Sequence, residues 1–210
     1  MIVALLLAAS VAGFAQSQRI TDEEAMRVHR SALLIDTHND VPMLTVKGLD
    51  IGPAAATGHT DIPRLRAGGV GAQFFAVYVA AEYVKGNRSA NRALEIIDTV
   101  RHDIVDRYPQ HFTLALTADD IERAREQGKI AALMGIEGGH AIEDSLRLLR
   151  DFFRLGVRYM TLTHTNSTAW AGSAGTYSRP MEEQERGLSD LGRDVVREMN
   201  RLGMIVDVSH

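Results

Sequence analysis

Residues 130–139 read IAALMGIEGG, and this stretch decides the fold that the sequence predicts. Ile130–Ile136 is apolar throughout rather than at alternate positions, which is typical of a strand buried on both faces of a parallel sheet. Glu137 follows directly, and a carboxylate at the end of a buried strand is costly unless it is paired or binds a metal. We therefore interpret Glu137 as a candidate metal ligand, with an acidic residue at a helix start as the alternative.

Other apolar runs of strand length occur along the chain, and helical patterns separate most of them. The runs are Ala32–Asp36, Val70–Val79, Phe112–Leu116, Val157–Thr163 and Met204–Val208. The helical patterns are Ser89–Tyr108, Thr117–Gln127, Ile142–Leu155 and Ser189–Leu202. Residues 47–61 are rich in Gly and Ala without a period, which indicates a loop. Alternating strands and helices predict an α/β fold with a parallel sheet.

The residues that follow the strands distinguish two α/β architectures. An open doubly wound sheet would normally carry a Gly-rich phosphate turn after its first strand, whereas residues 36–40 read DTHND. Ligand-type residues instead follow several strands, as in the active site of a (β/α)8 TIM barrel. Such barrels need about 250 residues, and this chain ends at His210 directly after a strand. We expect a C-terminally truncated TIM barrel with about six of its eight strands present.

The composition of the sequence restricts the partners and the metal ligands that we expect. The formal net charge of −4 gives no reason to expect nucleic acid as a partner. The sequence has no cysteine, which excludes a disulfide framework, thiolate metal ligands and a cysteine nucleophile. Any metal must therefore be held by histidine and carboxylate side chains.

The N-terminus indicates export. Met1–Ala15 (MIVALLLAASVAGFA) is apolar, ends in small residues and is too short to span a bilayer. We interpret it as a signal peptide, which predicts a periplasmic or extracellular protein with no transmembrane span. Residues 16–210 then form one partial barrel domain. A buried N-terminal strand or helix is the alternative.

Five ligand-type side chains follow four different predicted strands. His38 and Asp40 are two residues apart, so on an extended strand they face the same side, although this pair also occurs as an ordinary hydrogen-bonded pair. Glu137 follows the central strand, and His164 and His210 follow two later ones. One such histidine is commonly structural, but the five together predict a metal-dependent hydrolase.

The sequence resembles the renal (membrane) dipeptidase family, zinc peptidases of the metal-dependent hydrolase TIM-barrel superfamily. The matching motifs are IDTHNDVP at 35–42, DIPRLRAGGVGAQF at 61–74, GIEGGH at 135–140, LGVRYMTLTH at 155–164 and GMIVDVSH at 203–210. Met43 departs from the pattern, because relatives often have an aromatic residue there, and we expect this change to alter the wall of the pocket.

The resemblance implies a role for each candidate residue. His38 and Asp40 would be ligands of the first of two Zn²⁺ ions, Glu137 would bridge both ions, and His210 would be a ligand of the second. His164 would bind substrate and stabilise the tetrahedral intermediate, so Glu137 and His164 are the expected catalytic residues. The second histidine of the second zinc, an arginine and an aspartate would lie beyond residue 210, so the chain as given is expected to be inactive.

The implied activity is a metallo-dipeptidase that hydrolyses dipeptides, including those with a C-terminal D-residue, by a hydroxide that bridges the metals. A small dipeptide is the expected partner, and the sequence leaves open whether the protein forms a homodimer. Two alternatives remain. Another binuclear amidohydrolase, such as a lactonase, would carry a carbamylated lysine in place of Glu137. A non-catalytic fragment or binding protein on the same scaffold would hold no tight metal.

Overall fold

The computed structural model describes residues 20–176 and 187–210. The predicted signal peptide, Met1–Ala15, lies outside the described residues. The chain divides into two compact units, one ending at Ala32 and the other running over Leu33–His210. In the first unit, helix α1 (Asp22–Ser31) begins at Thr21, which exchanges hydrogen bonds with Glu24 in a capping box.

The second unit contains the six predicted strands as one parallel sheet. The strands are β1 (Leu34–Asn39), β2 (Val70–Tyr78), β3 (Phe112–Leu114), β4 (Ile130–Glu137), β5 (Val157–Thr161) and β6 (Ile205–Asp207). The sheet has the order β1-β2-β4-β5-β6, with β3 paired to β4 as well. All eight residues of β4 are buried, as the apolar run predicts.

The register brings the carboxyl ends of the central strands together. Glu137, the last residue of β4, pairs with Tyr78 on β2 and with Thr161 on β5. Strand β3 does not separate β2 from β4, because Ala131 and Ala132 of β4 pair with β2 on one edge and with β3 on the other. The outcome is a curled half-barrel, consistent with the truncated TIM barrel that the sequence predicts.

Helices follow most of the strands. They are α2 (Pro42–Thr45), α3 (Ile62–Ala67), α4 (Ser89–Thr99), α5 (Ala118–Glu126), α6 (Leu146–Leu155) and α7 (Asp190–Leu202). Shorter 3₁₀ segments are Ala81–Val84, Gly139–Ile142 and Ala174–Thr176. Residues 47–61 form a loop as predicted. No helix in residues 20–176 and 187–210 is long and apolar enough to cross a membrane.

Two predicted helices differ from the structure. The helix expected over Ser89–Tyr108 continues past Thr99 as a π-helix, Val100–Asp106. The helix expected from Ile142 begins at Leu146, because Glu143 and Asp144 take left-handed backbone angles that end the preceding 3₁₀ turn. Thr117 and Ser189 cap α5 and α7 as the sequence indicates.

Alternate residues of the strands face two apolar clusters. The outer cluster joins Phe75 and Met134 of the sheet to helix residues such as Ile96 and Phe152. The inner cluster contains Phe74, Leu133 and Tyr159 with several alanines. Because successive strand residues point to opposite faces, Glu137 lies on the inner face with Leu133.

Candidate metal centre

Glu137 lies at the centre of the site, and its two carboxylate oxygens face different neighbours. Its side chain is 10% exposed, at the carboxyl end of β4. Oε2 faces His38, whereas Oε1 faces His164 and His210. The carboxylate is therefore buried and in contact with three imidazoles.

The first group of donors consists of His38, Asp40 and Glu137. His38 is the fifth residue of β1, and Asp40 directly follows the strand. The Nε2 atom of His38 lies 3.4 Å from Asp40 Oδ1 and 3.4 Å from Glu137 Oε2. One atom from each of the three side chains lies within 4.8 Å of the others, close enough to share one cation.

The second group consists of Glu137, His164 and His210. Glu137 Oε1 lies 3.2 Å from His210 Nε2 and 3.6 Å from His164 Nε2. The two imidazole rings are 4.4 Å apart between centroids. Thr163 holds the chain at this point, since its hydroxyl donates to the His210 carbonyl oxygen at 2.7 Å.

The structure therefore brings together all five residues that the sequence singles out. They come from the ends of β1, β4, β5 and β6 and span 172 positions of the chain, from His38 to His210. The geometry does not separate the roles of His164 and His210, because both histidines face the same oxygen of Glu137. The family resemblance alone distinguishes a substrate-binding His164 from a metal-binding His210.

The chemistry of the donors fits a pair of divalent cations. Imidazole nitrogens and carboxylate oxygens are common zinc ligands, and each oxygen of Glu137 faces its own group. The carboxylates of Asp40 and then Glu137 raise the pKa of His38 to about 10, so this part of the site strongly favours positive charge. A cation between these groups would satisfy the same carboxylates.

Tyr159 is a site residue that the sequence analysis does not identify. Its hydroxyl lies 2.7 Å from His38 Nδ1, the ring nitrogen that faces away from Asp40. Burial raises the pKa of Tyr159, so the hydroxyl stays neutral. Tyr159 lies within an apolar strand motif, where a tyrosine is ordinarily interpreted as a core residue. Tyr78, the partner of Glu137 on β2, similarly contacts His164 edge-on at 4.9 Å between ring centroids.

Two cavities lie beside the donors. One, of about 350 Å³, lies on the inner face and is lined by Phe74, Glu137, Tyr159, Ile205, Asp207 and His210 among others. The other, of about 420 Å³, adjoins His38 and Asp40, and its apolar lining is Val41, Met43, Leu44 and Leu49. A small molecule with an apolar side chain could therefore reach the candidate metal ligands.

Comparison with known proteins agrees with the family resemblance of the sequence. The family description "Membrane dipeptidase (Peptidase family M19)" matches residues 22–210. Dipeptidase 3 of Mus musculus is 40% identical over 194 residues, which cover 90% of this chain and 38% of that protein. The chain thus spans well under half the length of this curated relative.

Solved structures share the fold. The dipeptidase AC, described as a metallo peptidase of family M19, has a TM-score of 0.73 at 25% identity, over 85% of this chain and 56% of its own. A metallo peptidase from Rhodobacter sphaeroides has a TM-score of 0.71 at 24% identity, over 85% of this chain and 58% of its own. Because the family match runs through every described strand and all five site residues, the chain belongs to the membrane dipeptidase family, peptidase family M19.

Proposed function

We propose that the protein formed by this chain is a zinc-dependent dipeptidase that hydrolyses dipeptides, including those with a C-terminal D-residue. The observation that carries the proposal is Glu137, whose two oxygens face two separate sets of metal-type donors. The mouse relative is named Dipeptidase 3, and the Rhodobacter sphaeroides structure holds a phosphinate mimic of L-Ala-D-Ala. Both support a dipeptide as the substrate class.

The donors would divide between two Zn²⁺ ions. His38, Asp40 and Glu137 would hold the first ion, and Glu137 with His210 would hold the second. When bound, such a pair supplies Lewis acidity, which lowers the pKa of water toward neutrality and polarises a carbonyl group. This chemistry promotes the hydrolysis of an unactivated peptide bond.

The chain's own residues orient and stabilise the substrate. Glu137 keeps the two donor groups adjacent, because one side chain contributes an oxygen to each. Burial lowers the pKa of His164, so its imidazole is neutral near pH 7 and can donate a hydrogen bond. His164 would bind the substrate and donate to the carbonyl oxygen as negative charge develops there.

The cavity beside Asp40 is suited to a substrate side chain. Its apolar wall is formed by Val41, Met43, Leu44 and Leu49, at the mouth of the first donor group. A dipeptide placed with its scissile bond at Glu137 could extend one side chain into this cavity. Met43 would then contribute to substrate selectivity, in keeping with its departure from the family pattern.

Export is part of the proposal. An apolar segment that ends in small residues, Met1–Ala15, would act as a signal peptide and direct residues 16–210 to the periplasm or the exterior. Cleavage after Ala15 can be checked by N-terminal sequencing of the secreted protein. A mature N-terminus that still contains the apolar segment would contradict this part of the proposal.

The central experiment measures metal content and hydrolysis with the full gene product. We expect two zinc ions per chain, turnover of L-Ala-D-Ala, and loss of turnover after treatment with a chelator. His38→Ala should abolish turnover, whereas His102→Ala, an exposed histidine on the π-helix, should leave it unchanged. Turnover that persists without metal would contradict the proposal. Hydrolysis of lactones but not of dipeptides would favour the lactonase alternative.

A further inference from the structure

We propose that Tyr159 is a positioning residue that fixes the tautomer and orientation of His38 for metal binding. The inference rests on the proposed function, because it requires His38 to be a metal ligand. It adds to that function a residue from β5. Tyr159 lines the cavity on the inner face and not the cavity beside Asp40, and its hydroxyl contacts His38.

The two nitrogens of His38 have different partners. Nδ1 lies 2.7 Å from the Tyr159 hydroxyl, and Nε2 lies 3.4 Å from both Asp40 Oδ1 and Glu137 Oε2. A neutral imidazole presents a lone pair at Nε2 only when its proton is on Nδ1. In that tautomer Nδ1–H donates to the hydroxyl oxygen of Tyr159. When a cation lies between Nε2 and the carboxylates in place of a proton, this hydrogen bond stabilises the form of His38 that binds it.

The surroundings of Tyr159 hold its ring in place. Gly135 pairs with Tyr159 across β4 and β5, and a Cβ atom built on Gly135 would lie 2.0 Å from the ring atom Cζ. The ring thus occupies the space of a side chain that β4 does not have. Phe74 of β2 packs against it with ring centroids 5.3 Å apart, and Tyr159 is 6% exposed.

The hydroxyl group separates a positioning role from a purely structural one. Packing against Gly135 and Phe74 accounts for the aromatic ring, and a phenylalanine would pack there equally well. A phenylalanine could not accept a hydrogen bond from His38 Nδ1–H. Residues that hydrogen-bond the second nitrogen of a metal-binding histidine typically contribute about 10–100-fold to metal affinity.

The test uses Tyr159→Phe in the full gene product, with zinc as the ligand. Zinc affinity is measured by competition with a chromophoric chelator, and we expect the ion at His38 to bind about 10–100-fold more weakly in the variant. The Co²⁺-substituted variant should also show an altered visible absorption spectrum. Melting of the metal-free variant should match that of the parent protein, since the ring packing is retained.

Tyr108→Phe is the matched control. The hydroxyl of Tyr108 donates a hydrogen bond to the carboxylate of Asp50, and Tyr108 lies outside both donor groups. This variant loses a tyrosine hydroxyl and a hydrogen bond, and it should keep the zinc affinity and the Co²⁺ spectrum of the parent protein. Equal weakening in the two variants would overturn the inference.

A measurement on the parent protein keeps the inference testable if Tyr159→Phe does not fold. Imidazole ¹⁵N NMR of the zinc-loaded protein should show a proton on Nδ1 of His38 and the metal on Nε2. Metal on Nδ1, or unchanged zinc affinity in a folded Tyr159→Phe, would overturn the inference. Failure of the proposed function gives a different result, because the parent protein itself would then bind no zinc.

Discussion

Glu137 lies at the end of a fully buried strand and contacts three histidines that lie on or just beyond three other strands. Its two oxygens divide these histidines into two sets, with His38 at Oε2 and His164 and His210 at Oε1. Any change that keeps the shape of this side chain but removes its charge therefore tests both halves of the site together.

We expect Glu137→Gln in the full gene product to weaken the binding of both zinc ions by at least about 100-fold, because the amide loses the charge and one oxygen acceptor. Metal analysis after dialysis and competition titration measure the loss. Glu95→Gln, which makes the same change on the surface of α4, is the control. A Glu137→Gln protein that keeps two tightly bound ions would contradict the bridging assignment.

Met43 tests whether the cavity beside Asp40 receives a substrate side chain. Met43→Ala should lower kcat/KM about 10-fold for dipeptides with a large apolar residue, and far less for dipeptides of glycine and alanine, because only a large side chain fills the cavity. Leu94→Ala, which truncates an exposed side chain on α4, is the control. An equal decrease for all substrates would show that Met43 supports the site without selecting among substrates.

The candidate donors could be predicted from the sequence, whereas the residues around them could not. His38, Glu137 and His210 are polar residues that follow apolar strands, so a local pattern identifies them. Tyr159 has no such signal, because a tyrosine in a buried strand is ordinary and its partner His38 lies 121 positions away. The role of Gly135 is equally hidden, since it depends on a ring that the neighbouring strand contributes.

At the level of elements, a charged contact joins the last two long helices. Glu198 on α7 accepts hydrogen bonds from Arg201 at 2.7 and 2.8 Å and from Arg150 on α6 at 3.1 Å. The guanidinium groups of Arg201 and then Arg150 lower the pKa of Glu198 to about 2. Because the pKa is lower in the folded chain than in the unfolded one, the ionised carboxylate stabilises the fold.

This contact predicts a pH-dependent effect of Glu198→Gln. The stabilisation is fully present above the ordinary glutamate pKa, near 4.5, and is lost as the pH falls toward about 2. The variant should therefore melt a few degrees below the parent chain at pH 7, and the difference should shrink between pH 4.5 and 2. Calorimetry across this range measures it. A difference in melting temperature that is constant with pH would contradict the charge-based explanation. Glu122→Gln, on the exposed face of α5, is the control.

The sequence predicted whether each element is a strand or a helix, but it did not predict how long each strand is or which strands pair. All six strands follow from apolar runs, yet only three residues of Phe112–Leu116 pair with β4. Because pairing depends on where the neighbouring strand lies, a run of apolar residues cannot reveal how many of them form ladder hydrogen bonds. The π-helix after Thr99 is a similar case, since an apolar stripe at helical spacing suits either helix type.

At the level of the whole molecule, β3 pairs with β4 alone among the described strands, and the main path of the sheet ends at two outer strands, β1 and β6. Each carries exposed apolar residues: Leu34 and Ile35 on β1 are 36% and 39% exposed, and Ile205 on β6 is 59% exposed. Val208, just beyond β6, is 76% exposed. Unpaired backbone groups beside exposed apolar side chains form a template for pairing with another chain.

We therefore expect the 210-residue chain to self-associate through its outer strands. A positive charge on β6 or just beyond it should oppose this association. Ile205→Lys and Val208→Lys should each shift the chain toward monomer in light scattering coupled to size-exclusion chromatography, because a lysine at a sheet edge disfavours pairing. Val84→Lys places the same charge on a 3₁₀ segment away from the sheet edge and should leave the distribution unchanged. A chain that is monomeric at all concentrations, or one that Val84→Lys disperses as effectively as Val208→Lys, would contradict association through these edges.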